Sequence, residues 1–393
     1  MVEGAGRGAP ASVAALTPLE VALARPLGVH LDSEARERWS GKASHPIEAL
    51  KDILVEALSR PPCLVSFSGG RDSSALLALA ARVSREAGLD LPIPATMYFP
   101  DETTDESSWQ TLVMKELRLP DWLRLHNEPG QFDLVGPVAA RVLTQHGLLW
   151  PFNAYFHLPI IERAAGGSVV TGAGGDEVAS VSASSRAERV WARQEHLGPY
   201  RSARALSLAL APKWARKAYF GYRFDEQFPW LTSRGEKLAR RALVRDAADA
   251  PFGFDRSIRW LWRSRYWQLA LTSSAAVGSP YDVKIFHPLG DRRFLRALAA
   301  TGGIPGYGRR ADLVRRLFGD VLPEALVTRS SKATFTRQVF SSPSVAFARI
   351  WSGCGLSEEL VRPEWLRASW LSRERNTFTA LLLQQAWLHD HSA

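Results

Sequence analysis

Ser68-Gly69-Gly70-Arg71-Asp72-Ser73-Ser74 is the stretch that decides how this chain is read. It follows an apolar run, Cys63-Leu64-Val65-Ser66-Phe67, and precedes a helix-like run that begins at Ala75. The spacing predicts a short glycine turn from the end of a buried strand onto a helix N-terminus. Two glycines let the backbone approach a ligand, and the unpaired N–H groups of a first helical turn serve as anion donors. Ser68, Ser73 and Ser74 add hydroxyls, and Asp72 adds a carboxylate for a metal that accompanies phosphate. The loop suits pyrophosphate. No Gly-Lys-Ser/Thr follows it, so simple hydrolysis of a γ-phosphate is not the expected task.

Working outward, the pattern alternates. A helix is expected over 46–59, strand 63–67 leads to helix 72–87, and Gly88 caps that helix. Strand 93–99, an acidic loop and helix 105–117 follow, then a short strand near 122–126 and a helix over 133–146. A helix over 154–165 leads into strand 168–171. Apolar strands alternating with helices imply parallel pairing through right-handed crossovers, hence an α/β fold with a doubly wound parallel sheet. Ligands of such sheets bind at the carboxyl ends of the strands. From about 185 onward the pattern is helical, with few strand candidates. The expected organisation is a partly ordered extension over 1–45, an α/β core over 46–185, and a mainly helical part over 186–393.

A second turn, Thr171-Gly172-Ala173-Gly174-Gly175-Asp176-Glu177, repeats the logic of the first. It follows an apolar strand, is rich in glycine and ends in carboxylates at an expected helix start. On a parallel sheet both turns reach one edge, which would bring Asp72 and Asp176 around a single Mg²⁺.

The remaining features bound the function. A net charge of +9 raises nucleic acid as a partner, but no RNA-binding signature accompanies it, and none is expected. Two cysteines, Cys63 and Cys354, cannot build a disulfide framework, which fits a reducing, cytoplasmic setting. No signal peptide is evident, and no run nears the roughly 18 apolar residues of a membrane span. Trp191, Trp214, Trp230, Trp260, Trp262 and Trp267 lie in an arginine-rich segment and read as helix-packing aromatics rather than as a substrate groove. Residues 101–106 read as a solvated acidic loop, with Thr104 or Asp105 capping the next helix. The histidines show no metal-ligand spacing, so no zinc site is expected, and His287 reads as packed or exposed rather than catalytic. Arg71 faces either phosphate or water.

The ordered pair of turns resembles the synthetase domain of the asparagine synthetase family, among the PP-loop ATP pyrophosphatases (adenine nucleotide α-hydrolase-like fold). Pro288-Leu289-Gly290-Asp291 is similar to the family's Pro-Phe-Leu-Asp stretch. Leu322-Pro323-Glu324, followed by Arg329-Ser330-Ser331-Lys332, is similar to its Leu-Pro-Glu element with basic residues ending in lysine. The resemblance spans about 46–340. It implies an ATP- and Mg²⁺-dependent ligase that adenylates a carboxylate, releases pyrophosphate, and lets an amine displace AMP to form an amide. Ser68, Gly69, Gly70 and Ser73 would hold pyrophosphate, with Asp72 and Asp176 on the metal. Ser66, Phe67, Ser74 and Thr171 complete the implied nucleotide site, with adenine near Met97, Tyr98 and Gly172. Lys332 takes the position of the family's catalytic lysine.

Three departures narrow the substrate. The chain begins Met1-Val2-Glu3, with no early cysteine and little room before Ser68 for a glutaminase domain, so glutamine is not expected as its nitrogen source. Ala173 replaces the glutamate of asparagine synthetases and the tyrosine of β-lactam-forming relatives, and alanine transfers no proton. Lys284-Ile285-Phe286 replaces the family's Glu-Ala-Arg. A non-carboxylate at 173 is similar to the lasso-peptide cyclase branch, where an intramolecular amine attack gains effective molarity. The expected function is therefore amide or macrolactam formation in specialised peptide or natural-product synthesis, with carboxylate and amine substrates. Ammonia-dependent asparagine synthesis and a nucleotide-binding scaffold for a separate partner protein are the alternatives.

Overall fold

The computed structural model describes residues 15–30, 39, 44–99, 104–184, 207–208, 210–304, 306–308, 310–329, 336–372 and 375–391. Five strands form one sheet: β1 (Cys63–Ser66), β2 (Ile93–Tyr98), β3 (Leu123–His126), β4 (Ser168–Val170) and β5 (Lys284–Phe286). Their order is β3-β2-β1-β4-β5 and every pairing is parallel. The expected α/β parallel sheet is therefore present.

Both faces of the sheet are covered, which is why its central strands read as unbroken apolar runs. Leu64, Ala95 and Val169 point into one core, shared with the helices Pro137–His146, Leu158–Arg163 and Ala380–His391. Cys63, Val65 and Val170 point into the other, built on the helices Pro46–Leu58, Arg71–Ala87 and Arg292–Gly302. The chain winds from β1 outward through β2 and β3, then returns to place β4 on the other side of β1. That reversal opens a crevice at the carboxyl ends of β1 and β4.

β5 lies in the stretch expected to be helical. Lys284-Ile285-Phe286 is too short for a periodic signal, and it becomes a strand because Ser168, Val169 and Val170 of β4 offer it a partner. Other bounds shift modestly. The helix expected at 133 begins at Pro137, and that expected over 154–165 opens with a 3₁₀ turn, Ala154–His157. Gly88 caps its helix with φ +65°, in the left-handed region where glycine is at ease.

Part of the N-terminal segment is firmly docked. Helix Pro18–Ala22 starts with a capping box between Thr17 and Glu20. Burial pushes the Glu20 carboxyl up, but Arg265 at 2.9 Å and the Thr17 and Leu27 amides outweigh it and hold its pKa low. Trp230 and Trp267 are buried, their indoles donating to Ala22 and Gly290 carbonyls, whereas Trp214 is exposed. Trp191 lies outside the described residues. Cys63 is buried and Cys354 exposed, both as free thiols. No helix among the described residues is long and apolar enough to cross a membrane.

Candidate active site

The two glycine turns leave neighbouring strands, β1 and β4, and touch. Gly69 takes φ +83°, and Gly70 caps helix Arg71–Ala87 with extended backbone and no side chain in the way. The Ser73 hydroxyl donates to the Gly70 carbonyl at 3.1 Å and accepts from the Ser68 amide at 3.3 Å, which ties the loop to its helix. In the second turn Gly174 takes φ +99°, and a Cβ there would stand 2.5 Å from the Gly290 nitrogen. Gly290 lies so close to Trp267 that its own Cβ would meet the indole at 1.8 Å. The second turn thus rests on the Pro288–Gly290 turn, whose Asp291 caps helix Arg292–Gly302 through the Arg293 amide.

Contact between the turns is direct. A Cβ on Gly172 would be 3.3 Å from the Ser73 nitrogen, and one on Gly175 would be 2.5 Å from the Asp72 carboxyl carbon. Asp72, in the first turn of its helix, and Asp176, in the first turn of helix Gly175–Ser184, face a common point. Arg310, the first residue of helix Arg310–Phe318, pairs with both carboxylates at once. Burial pulls its pKa down, but the two carboxylates outweigh burial and raise it above the ordinary arginine value.

A cavity of about 600 Å³ opens over this meeting point. Ser66, Phe67, Ser68, Gly70, Asp72 and Ser73 line one side, and Gly172, Ala173 and Asp176 line another. Met97 of β2 is also in the lining, but Tyr98 is not. Successive strand residues face opposite ways, and Tyr98 instead bonds Gln110 at 2.8 Å and stacks on His126. Gly69 stands outside the lining, its carbonyl taken by Arg329 at 2.9 Å. Ser74 is fully buried in the helix, and the Thr171 side chain is bound to His287. Lys332 lies outside the described residues.

Arg310 gave no signal in the sequence, while Arg71 and Arg329 stood in quoted motifs without an assigned role. Arg71, Arg310 and Arg329 all reach the cavity. Burial, then Arg310, lower the Arg71 pKa, partly offset by Asp72. Glu106 corrects the expectation of a solvated acidic loop: it is buried and ion-paired to Arg329, itself buried. Neither Thr104 nor Asp105 takes the expected capping position, which falls to Glu106 without a side-chain cap bond; Asp105, one residue earlier, accepts from the Ser107 amide at 2.8 Å. The far wall is apolar, with Phe99, Phe152, Phe156, Ile160 and Val339. Phe99, Phe132 and Phe156 pack edge to face or tilted, at centroid distances of 5.3 to 6.4 Å.

His287 is held between the Thr171 hydroxyl at 2.6 Å and the Ser274 hydroxyl at 2.8 Å. Burial, helped by nearby His157, drives its pKa down to about 3. It is a neutral structural ring under the second turn, as expected of a packed histidine. His157, on the cavity wall, is lowered by burial to about 4. Among the described residues no three His, Cys, Asp or Glu side chains gather around a metal position.

A parallel sheet with two glycine turns meeting at its switch point defines an α/β nucleotide-binding protein of the PP-loop type. The family model for asparagine synthase matches residues 48–275, more than half of the chain, and the chain belongs to that family of ATP-dependent, amide-forming ligases. A comparison with curated proteins returned no match.

Proposed function

We propose that the chain joins a carboxylate to an amine through an acyl-adenylate, in the making of a specialised peptide or natural product. The observation that carries this reading is the contact between the two turns, which places Asp72 and Asp176 on one guanidinium at the mouth of one cavity. Magnesium binds through one or two carboxylates and completes its octahedron with water and phosphate oxygens, which suits this donor pair. The absence of a Cβ at Gly175 leaves the room that the Asp72 carboxylate needs. Held by Asp72 and Asp176, the ion would neutralise charge on the departing pyrophosphate.

The chain's own groups supply the rest. A substrate carboxylate oxygen attacks the α-phosphorus of ATP, and the bond to the bridging oxygen of pyrophosphate breaks. Amides of the first turn, with the Ser68 and Ser73 hydroxyls, meet the phosphate oxygens. Lys332, by its resemblance to the family's lysine, would stabilise charge on the phosphoryl and acyl oxygens. The amine then attacks the acyl carbon and AMP leaves. Ala173 lines the cavity without a proton-accepting group, so the amine must arrive neutral or lose its proton elsewhere. An intramolecular amine, as in macrolactam closure, tolerates this best because proximity replaces part of the base's contribution.

Pyrophosphate–ATP exchange tests the reading, with aspartate, amino-acid derivatives and acidic peptides as trial acids. Exchange driven by a peptide or derivative is expected, and it should vanish in Asp176→Asn and Lys332→Ala. Exchange with aspartate alone would favour ammonia-dependent asparagine synthesis. No exchange with any acid would leave a nucleotide-binding scaffold.

A further inference from the structure

We propose that Arg310 is an internal cation that competes with the divalent metal for Asp72 and Asp176, so that metal binds only together with nucleotide phosphate. The inference rests on the reading of those two aspartates as the metal site. One guanidinium, at the start of helix Arg310–Phe318, bonds both carboxylates through its two terminal nitrogens. One oxygen of each carboxylate is therefore already engaged by a positive group. A divalent ion arriving alone must displace it or share its space, and at such separations like charges repel strongly.

The guanidinium is not fully satisfied where it stands. Its Nε–H is buried with no acceptor among the described residues. Arg71 adds a second positive charge within electrostatic reach of Arg310 and of both aspartates, which further disfavours a bare metal ion. A polyphosphate changes the balance. It brings several negative charges and planar, bidentate-accepting oxygens that suit arginine. The guanidinium can then turn to phosphate while the carboxylates accept the ion. Coupling of this kind is reciprocal, so nucleotide should bind more tightly with metal and metal more tightly with nucleotide.

The test uses the full chain, Mn²⁺ as the metal probe and the non-cleavable α,β-methylene analogue of ATP, with free Mn²⁺ read by electron paramagnetic resonance. Nucleotide-free wild type is expected to bind Mn²⁺ weakly, and Arg310→Met should tighten that binding by on the order of tenfold, as removal of a competing charge demands. The same variant should weaken capture of Mn²⁺ together with the analogue. Unchanged or weaker Mn²⁺ binding by nucleotide-free Arg310→Met would overturn the proposal and make Arg310 a brace for the two carboxylates. Should that variant fail to fold, Arg310→Gln replaces it, and tight Mn²⁺ binding by nucleotide-free wild type overturns the proposal without any variant. Asp72→Asn separates the layers: if it leaves Mn²⁺ capture with the analogue intact, the metal-site reading itself fails.

Discussion

Arg329 and Glu106 form a buried ion pair behind the first glycine turn, 223 positions apart in the chain. Arg329 also donates to the Gly69 carbonyl at 2.9 Å and lies over the Trp109 ring, 4.8 Å from its centroid. The first glycine turn is thus held from the rear by a residue that lies beyond the segment matched by the family model. Breaking a buried ion pair by removing one member costs about 3–5 kcal/mol. Glu106→Gln and Arg329→Met are each expected to lower the denaturation midpoint and weaken nucleotide binding. Nucleotide affinity that is unchanged in a folded Arg329→Met would show that the pair does not shape the loop.

Gly175 and Gly174 should respond differently to alanine. At Gly175 the three atoms nearest the new Cβ all belong to the Asp72 carboxylate, the closest at 2.5 Å, so that side chain can swing aside and the fold survives. Nucleotide-dependent metal binding should fall while the thermal midpoint stays near wild type. At Gly174 the new Cβ meets the Gly290 backbone, 2.5 Å away, at φ +99°. That substitution should cost about 1–3 kcal/mol in equilibrium unfolding, as overpacking against backbone does.

Acid should destabilise the protein through its buried histidines. The His287 ring has a folded pKa of about 3 against an ordinary value of 6.5, so the unfolded chain binds the extra proton first. Its contribution is intact above pH 6.5 and erodes as pH falls, by about 1.4 kcal/mol per pH unit until the folded pKa is reached. Stability measured between pH 7 and pH 4.5 should decline, and His287→Gln should be weaker at pH 7 yet less sensitive to acid. An equal slope in wild type and variant would remove His287 as a source of the acid sensitivity.

Asp133 fastens the aromatic wall of the cavity to the C-terminal part of the chain. Fully buried, it accepts from the Val135 amide at 3.0 Å, from the Ser341 amide and hydroxyl, and from the Ser344 hydroxyl. Asp133→Ala leaves several buried donors without an acceptor, each worth about 1–3 kcal/mol. Easier proteolysis near 340 and a lowered denaturation midpoint are expected. A variant as stable as wild type would mean that the segment is held by its apolar contacts alone.

Local order was legible in the residues themselves. The apolar run at 63–66, the glycines at 69, 70 and 88, and the two turns ending in Asp72 and Asp176 declare a parallel sheet with two glycine turns at one edge. Their signals are short-range: periodicity, turn chemistry and helix starts depend on neighbours in sequence. What the sequence hid was assembled across distance. Arg310 looks like any other arginine in a chain with 49 basic residues, and Arg329 stands in a quoted motif without an assigned role; only packing sets one between two aspartates and the other against Gly69. β5 is a strand because β4 pairs with it, and Glu106 is buried because Arg329 reaches it. Pairing and burial are properties of the partner as much as of the residue, so they enter only when the chain has closed on itself.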